Sequence, residues 1–317
     1  MAYLVTGGTG FIGSYVVRDL LQMGEEVVCY QRSGITPLLR ELVPQEHLSK
    51  VKIVQASVAD TLDLFDAVRK HNVDTIVHLS YSLYPESEIA PISLRVNVIG
   101  TNNVFEAARL FGLKKVVWTS SSAVFGRVTE VSGDKVMTEE NIVYQPTRMY
   151  GATKALCEFM AKMYYDQFGV NIIGFRLVRT YGVGKLKGSA AEFTELLQKV
   201  ALNQPTVIRN GDDRWTYAGI EDVARAMIKA CQIPTTKTRI FNLMTYDCNG
   251  WELAEIFRKI NPAAQIKVEP GVGVYSNPRL DVTALYNELG FAPLYSFEEG
   301  IRRVLNHFRK QKGLSML

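Results

Sequence analysis

The stretch VTGGTGFIGSYVVRDLLQMG, residues 5–24, sets the fold. A β-branched run ends at Thr6, Gly7-x-x-Gly10-x-x-Gly13 follows, and an apolar stripe at helical spacing opens directly after it. At such a strand-to-helix junction each glycine has a physical task. One makes the tight turn, one lets a diphosphate approach the backbone, and one lets helix pack on strand. The bare start of the helix, at Phe11 and Ile12, then offers N–H donors and a favourable dipole to phosphate. The plain alternative is a set of glycines that serves the turn alone.

Outward from this turn, strand-length runs alternate with amphipathic segments: EVVCY, VKIVQA, DTIVHLS, KKVVWTS and VNIIGFR. The alternation predicts an α/β fold, a doubly wound parallel sheet (Rossmann fold) with helices on both faces. After about residue 176 the texture changes. A Gly- and Lys-rich loop, YGVGKLKGSA, precedes helices at AAEFTELLQKVALNQ, IEDVARAMIKACQ, GWELAEIFRKI and FEEGIRRVLNHFRKQ, with a strand at TRIFNLM. We expect residues 1–175 to form the NAD(P)-binding domain and 176–317 mainly a smaller substrate-binding lobe, with part of about 215–245 returning to the sheet.

Bulk properties narrow the function classes. With 317 residues, 47% hydrophobic and 21% charged, the chain is long enough for a sizeable core. A net charge of +4, spread thinly, argues against nucleic acid, and no apolar run reaches the roughly 18 residues of a membrane span. The start MAYLVTGG enters a strand at once, which leaves no room for a signal segment and suggests the cytoplasm. Cys29, Cys157, Cys231 and Cys248 form no metal-ligand spacing and read as reduced core thiols. No metal is expected.

Two further stretches carry chemistry. At the end of the second strand, where an acidic residue would grip the ribose hydroxyls of NAD, stand Gln31 and Arg32. An arginine beside an uncharged residue suits a 2′-phosphate, so the reading leans mildly to NADP over NAD, against the alternative of a solvated loop charge. RMYGATKALCEF, residues 148–159, sets Tyr150 and Lys154 one helical turn apart on one face. A second such pair, Tyr181 and Lys185 in YGVGK, has two glycines between its members, which argue against a helix.

Taken in order, TGGTGFIG (6–13), HLS (78–80), NVIGTNNVFEAAR (97–109), SSSAVFG (120–126), YGATK (150–154), YGVG (181–184) and EDVARA (221–226) resemble the extended short-chain dehydrogenase/reductase superfamily, the NAD-dependent epimerase/dehydratase family. The resemblance spans nearly the whole chain. It implies that Ser121 polarises a substrate oxygen, that Tyr150 is the general acid/base, and that Lys154 binds the nicotinamide ribose while lowering the tyrosine pKa from its reference of about 10. It also places Gly7, Gly10, Phe11, Ile12, Gly13, Ser57, Val58, Leu79 and Ser80 at the cofactor, and gives Asn97 a structural task at the sheet edge.

Departures from the family pattern shape the reaction. Ser122 and Ala123 stand where dehydratases carry Asp and Glu, so dehydration is not expected. Arg176-Leu177-Val178-Arg179 replaces the Arg-Pro-x-Asn of nucleotide-sugar enzymes, and the arginine expected at the substrate diphosphate is displaced, with Trp215 in its place and Arg214 beside it. Arg179 could meet an anion instead. Ser57 stands for the usual adenine-binding Asp. Tyr81, Ser122, Arg179, Arg214 and Trp215 are the candidate substrate residues, and Tyr84, Phe125, Tyr181 and Tyr217 are further aromatics expected near the pocket.

The leading expectation is an oxidoreductase that interconverts a secondary alcohol and a ketone on a small-molecule substrate. Two alternatives stand beside it: a nucleotide-sugar 4-epimerase with retained NAD, and a non-catalytic dinucleotide-binding sensor or scaffold. Relatives pair the helices at 96–112 and 150 onward in a four-helix interface. A homodimer is therefore expected, covering Met160, Met163 and Tyr164 as exposed residues.

Overall fold

The computed structural model describes residues 1–83, 91–126, 144–185, 191–273 and 279–317. Its first half runs β1 (Ala2–Thr6), α1 (Phe11–Gln22), β2 (Glu26–Gln31), α2 (Pro37–Leu42), α3 (Gln45–Leu48), β3 (Lys52–Gln55), α4 (Thr61–Lys70) and β4 (Thr75–His78). Then come α5 (Pro91–Leu94), a π-helical turn (Arg95–Ile99), α6 (Gly100–Leu110), β5 (Lys115–Ser121), a 3-10 turn (Ser122–Phe125), α7 (Met149–Phe168) and β6 (Ile172–Leu177). All the paired strands among these are parallel, as continuous β-branched runs buried on both faces require.

The second half holds β7 (Arg179–Tyr181), α8 (Ala191–Ala201), β8 (Thr206–Ile208), β9 (Arg214–Gly219), α9 (Ile220–Gln232), β10 (Ile240–Leu243), β11 (Tyr246–Asn249), α10 (Gly250–Ile260), β12 (Ile266–Val268), α11 (Thr283–Leu289) and α12 (Phe297–Gln311). The strand order β10-β6-β5-β4-β1-β2-β3 gives a seven-stranded doubly wound sheet whose direction of winding reverses between β1 and β4. Ligands of open α/β sheets lie at the carboxyl ends of the strands at such a reversal. The glycine turn leaves β1 there.

The chain returns to this sheet as expected, through β10 paired with β6. The boundary expected after residue 175 falls inside β6, whose last residues Arg176 and Leu177 still pair with Ser120 and Ser121. Separate sheets, β11-β9-β7 and β12-β8, build the smaller lobe with α8, α10 and α12. Its core gathers Tyr181, Phe193, Tyr217, Phe257 and Phe297.

One expectation about the helix surface needs correction. Met160 and Tyr164 pack against the core beneath α7, because the helical period carries them toward the same side as Cys157 and Ala161, whereas Met163 is half-buried on the side of Leu156 and Phe159. Outward apolar side chains of α7 include Leu156, Phe159 and Phe168, with Ile99 exposed at the end of the π-helical turn that leads into α6. No helix among the described residues is long and apolar enough to cross a membrane.

Candidate active site

The glycine turn is shaped for close approach. A Cβ on Gly13 would lie 2.2 Å from the Gly7 carbonyl oxygen, so only glycine lets α1 sit this tightly on β1. Gly7 itself has φ of +69°, and a Cβ there would lie 3.2 Å from the Leu79–Ser80 backbone. No side chain caps α1, whose N-cap is Gly10, and its first turn, at half-buried Phe11 and Ile12, holds no acidic residue. These features fit the diphosphate of a dinucleotide.

A hydrogen-bonded chain that the sequence did not disclose fixes this turn against β4. Thr6 Oγ1 accepts from the N–H groups of Leu79 (3.0 Å) and Ser80 (3.1 Å), so its proton goes to His78 Nδ1 at 2.8 Å. His78 Nε2–H then donates to Thr101 Oγ1 (3.1 Å), which donates to the Asn97 carbonyl (2.7 Å). Burial pushes His78 down to about 3, which keeps it a neutral structural residue. Asn97 clamps the loop after β4 through both backbone groups of Ser82, a structural task on the helix side of that loop rather than at a sheet edge.

Gln31 ends β2 but turns inward. Its Oε1 accepts from Thr9 N at 2.8 Å and its Nε2 donates to the Ser33 and Gly34 carbonyls, tying the glycine turn to the β2 end. Arg32 is exposed beside it. Ser57 Oγ accepts from Ala59 N, and Val58 is buried against Gly100, where a Cβ would fall 2.5 Å from Val58 Cγ2.

The Tyr150 and Lys154 side chains share one neighbour. Tyr81 meets the Tyr150 ring edge-on with centroids 5.5 Å apart, and the Lys154 ammonium lies 3.5 Å from the same Tyr81 centroid. The two groups therefore stand on one side of α7, as their spacing predicts. Lys154 is buried and donates to the Thr119 carbonyl. Burial pushes its ammonium down to about 7, only partly offset by Glu158 one turn on. Tyr81 is held in place by its hydroxyl, which donates to Thr153 Oγ1 at 2.7 Å.

The serine run resolves by partner. Ser120 donates to Glu158, whereas Ser121 ends β5 and accepts from Ala123 N at 3.2 Å, leaving its own proton to donate. Ser122 is buried at the start of the 3-10 turn. Gly151 lets α7 close on this turn, since a Cβ there would lie 2.4 Å from the Ala123 carbonyl oxygen. That approach brings the start of the Tyr150 helix to the Ser121 segment.

Beneath α7 lies a buried pair that the sequence reading passed over. Arg176 embraces Glu158 with its Nε (3.0 and 3.1 Å) and Nη2 (2.9 Å), and Tyr144 adds a bond at 2.8 Å. The four-residue step from Tyr150 to Lys154 to Glu158 was the available signal.

The substrate candidates separate. The Arg179 guanidinium lies over Trp215, 3.6 Å from its ring centroid, with no carboxylate partner among the described residues. Arg214 is committed to Asp247 (2.6 Å) and Glu252 (3.3 Å). Phe125, Tyr181 and Tyr217 are buried core residues, which corrects their expected place on the pocket wall: alternation along short strands turns Tyr181 and Tyr217 into the core of the smaller lobe, and the 3-10 turn buries Phe125 in the core of the sheet. Tyr84 lies outside the described residues. All four cysteines are free and buried, and burial pushes Cys157 up to about 11, so none is a poised nucleophile.

Comparison with known proteins places this geometry in a class. A model of the NAD dependent epimerase/dehydratase family matches residues 3–243, and the chain belongs to that family, whose members are extended short-chain dehydrogenase/reductase enzymes. It is 30% identical, over 98% of its length and 99% of the relative's, to a UDP-glucose 4-epimerase of Mycolicibacterium smegmatis. It is 26% identical to a dTDP-glucose 4,6-dehydratase of Streptomyces niveus, covering 99% of this chain and 94% of the other. Among solved structures, the Thermus thermophilus UDP-glucose 4-epimerase complex with NAD superposes with a TM-score of 0.80 at 26% identity, covering 98% and 99% of the two chains. A partial-consensus L-threonine 3-dehydrogenase, at 21% identity and a TM-score of 0.83 over 98% and 100%, shares the fold. These likenesses make the chain an NAD(P)-binding enzyme of the oxidoreductase and epimerase type.

Proposed function

We propose that the chain interconverts a secondary alcohol and a ketone on a small substrate, with Ser121, Tyr150 and Lys154 as the catalytic residues. The observation that carries this reading is the common contact of Tyr150 and Lys154 with Tyr81, at the end of the sheet where the glycine turn opens. Ser121 donates its free proton to the substrate oxygen, and Tyr150 exchanges the hydroxyl proton. Lys154 holds positive charge near the phenol and favours its anion. A nicotinamide bound beside them supplies the hydride donor or acceptor. The glycine turn, Gly7 to Gly13, holds the diphosphate, with Leu79 and Ser80 behind it and Ser57 and Val58 on the adenine side.

Arg179 stacked on Trp215 supplies a cation to an anionic part of the substrate, and Tyr81 and Ser122 complete the substrate wall. Gln31 presents no carboxylate to repel a 2′-phosphate, and exposed Arg32 can pair with one, which supports NADP alongside NAD. A homodimer buries Ile99, Leu156 and Phe159. A second reading, a nucleotide-sugar 4-epimerase, draws on the likeness to the Mycolicibacterium enzyme. Against it, Arg214 already has two carboxylate partners.

Turnover decides between them. Net NAD(P)H formation or consumption with a panel of hydroxy acids and ketones, lost in Tyr150→Phe with cofactor affinity retained, is the expected result. UDP-glucose converted to UDP-galactose with no net cofactor change would replace it with the epimerase. Cofactor binding without turnover on either panel would leave a sensor.

A further inference from the structure

The loop that leaves β7 crosses the start of α1. Tyr15 donates its hydroxyl proton to the Val183 carbonyl at 3.0 Å, and Gly184, at φ +92°, presses so close to α2 that a Cβ would fall 2.5 Å from Leu38 Cδ2. The next residue, Lys185, brings its ammonium 5.1 Å from the ring centroid of Phe11, the first residue of α1. Lys185 is half-buried, burial pushes its pKa down, and it forms no ion pair among the described residues.

A cation is the wrong charge for this place. The start of a helix carries the positive end of its dipole, and α1 has neither a capping side chain nor an acidic residue in its first turn to compensate. A partly desolvated ammonium, with no carboxylate partner among the described residues, therefore lies over the ring of the first residue of a helix whose start is the positive end of its dipole. An anion lodged between loop and helix start would reverse both penalties at once.

We propose that Lys185 is a cofactor-binding residue that clamps the dinucleotide diphosphate against the N-terminus of α1. The glycine turn supplies backbone donors from below, and the β7 loop supplies a charged donor from above. The assignment rests on the reading of the chain as an NAD(P)-binding enzyme. It gives a task to a lysine whose pairing with Tyr181 is excluded as a helical pair by the glycines between them.

Calorimetric titration of the full chain with NAD, NADP, ADP-ribose and adenosine tests it, comparing wild type with Lys185→Met and Lys185→Arg. Lys185→Met should weaken NAD and ADP-ribose by roughly ten- to a hundredfold, the scale of a lost charged hydrogen bond. It should leave adenosine within about twofold, flatten the salt dependence of ADP-ribose affinity, and be restored largely by Lys185→Arg. Equal weakening of adenosine would mean that the loop merely packs, and a loss confined to 2′-phosphorylated ligands would move the contact to the ribose phosphate. Either overturns the proposal. Wild-type binding of NAD with an unchanged Lys185→Met variant sinks this assignment alone, whereas a wild type that binds neither NAD nor ADP-ribose sinks the cofactor reading with it.

Discussion

At the glycine turn, the continuous run from Thr6 to Gly13 makes the tight junction between β1 and α1, and the backbone does the work. In the smaller lobe, Tyr181, Phe193, Tyr217 and Phe297 come from four separate elements and meet ring against ring, with Phe193 and Tyr217 centroids 4.7 Å apart and Tyr217 and Phe297 5.2 Å apart. The first arrangement is fixed by which residues lack a Cβ. The second is fixed by long-range packing, in which many aromatic arrangements have similar burial. The contrast separates a binding surface that local spacing can encode from one that only the folded chain assembles.

That contrast is sharpest if it has an exception, and Glu158 provides one inside the locally encoded half. Its carboxylate is buried with Arg176, a residue of the next strand, and it also binds Ser120 and Tyr144. Removing one partner strands the other charge, so Glu158→Ala should cost about 3–5 kcal/mol in urea unfolding. A loss under about 1 kcal/mol would show that Arg176 finds water or another partner, and α7 would then owe its position to local contacts alone.

Lys154 should give the next largest effect, through pH. Its folded pKa lies near 7, below the ordinary lysine value, so between about 7 and 10 the unfolded chain binds more protons than the folded one. The lysine therefore destabilises the cofactor-free protein at low pH, and stability climbs as pH rises through that window. Lys154→Met should be more stable than wild type at pH 7, with the gap narrowing by about 2 kcal/mol by pH 9, while turnover is lost. A gap that stays constant with pH would mean that Lys154 is solvated, and that Tyr81 does not cover it.

These two residues show where the sequence was readable. The fold, the glycine turn and the Tyr150–Lys154 face follow from strand length, glycine placement and helical period, all of which act within a few residues. The inward turn of Gln31 onto Thr9 N, the His78 relay and the Glu158–Arg176 pair depend on side chains that meet across strands, and spacing along the chain carries no such register. The aromatics expected at the pocket failed for the same reason. Periodicity says that Tyr181 and Tyr217 alternate in and out, but not which side is inside.

Phe297→Leu asks whether the two regions act separately. Its ring stacks on Tyr246 with centroids 4.3 Å apart and closes the lobe core, so shortening it should cost about 1–2 kcal/mol of stability. NAD affinity, measured by titration, should stay within about twofold. A tenfold fall would show that the lobe core holds the cofactor surface in shape, and the division drawn above would not stand.

The smallest effect lies between two arginines of the lobe, and it tests whether charge or availability selects the substrate contact. Arg214 is partly exposed and shares its guanidinium between Asp247 and Glu252, an arrangement worth about 0–1 kcal/mol, so Arg214→Ala should barely move stability. It should leave KM unchanged as well, because a cation already shared by two carboxylates has little field left for a third. Arg179 has no carboxylate partner among the described residues and lies over Trp215, so Arg179→Ala should raise KM roughly tenfold and leave NAD affinity untouched. If steady-state kinetics give the reverse, with KM following Arg214, then Asp247 and Glu252 must release it when substrate binds. The arginine position of nucleotide-sugar enzymes would then be in use one residue out of register, and the epimerase reading would gain the contact it now lacks.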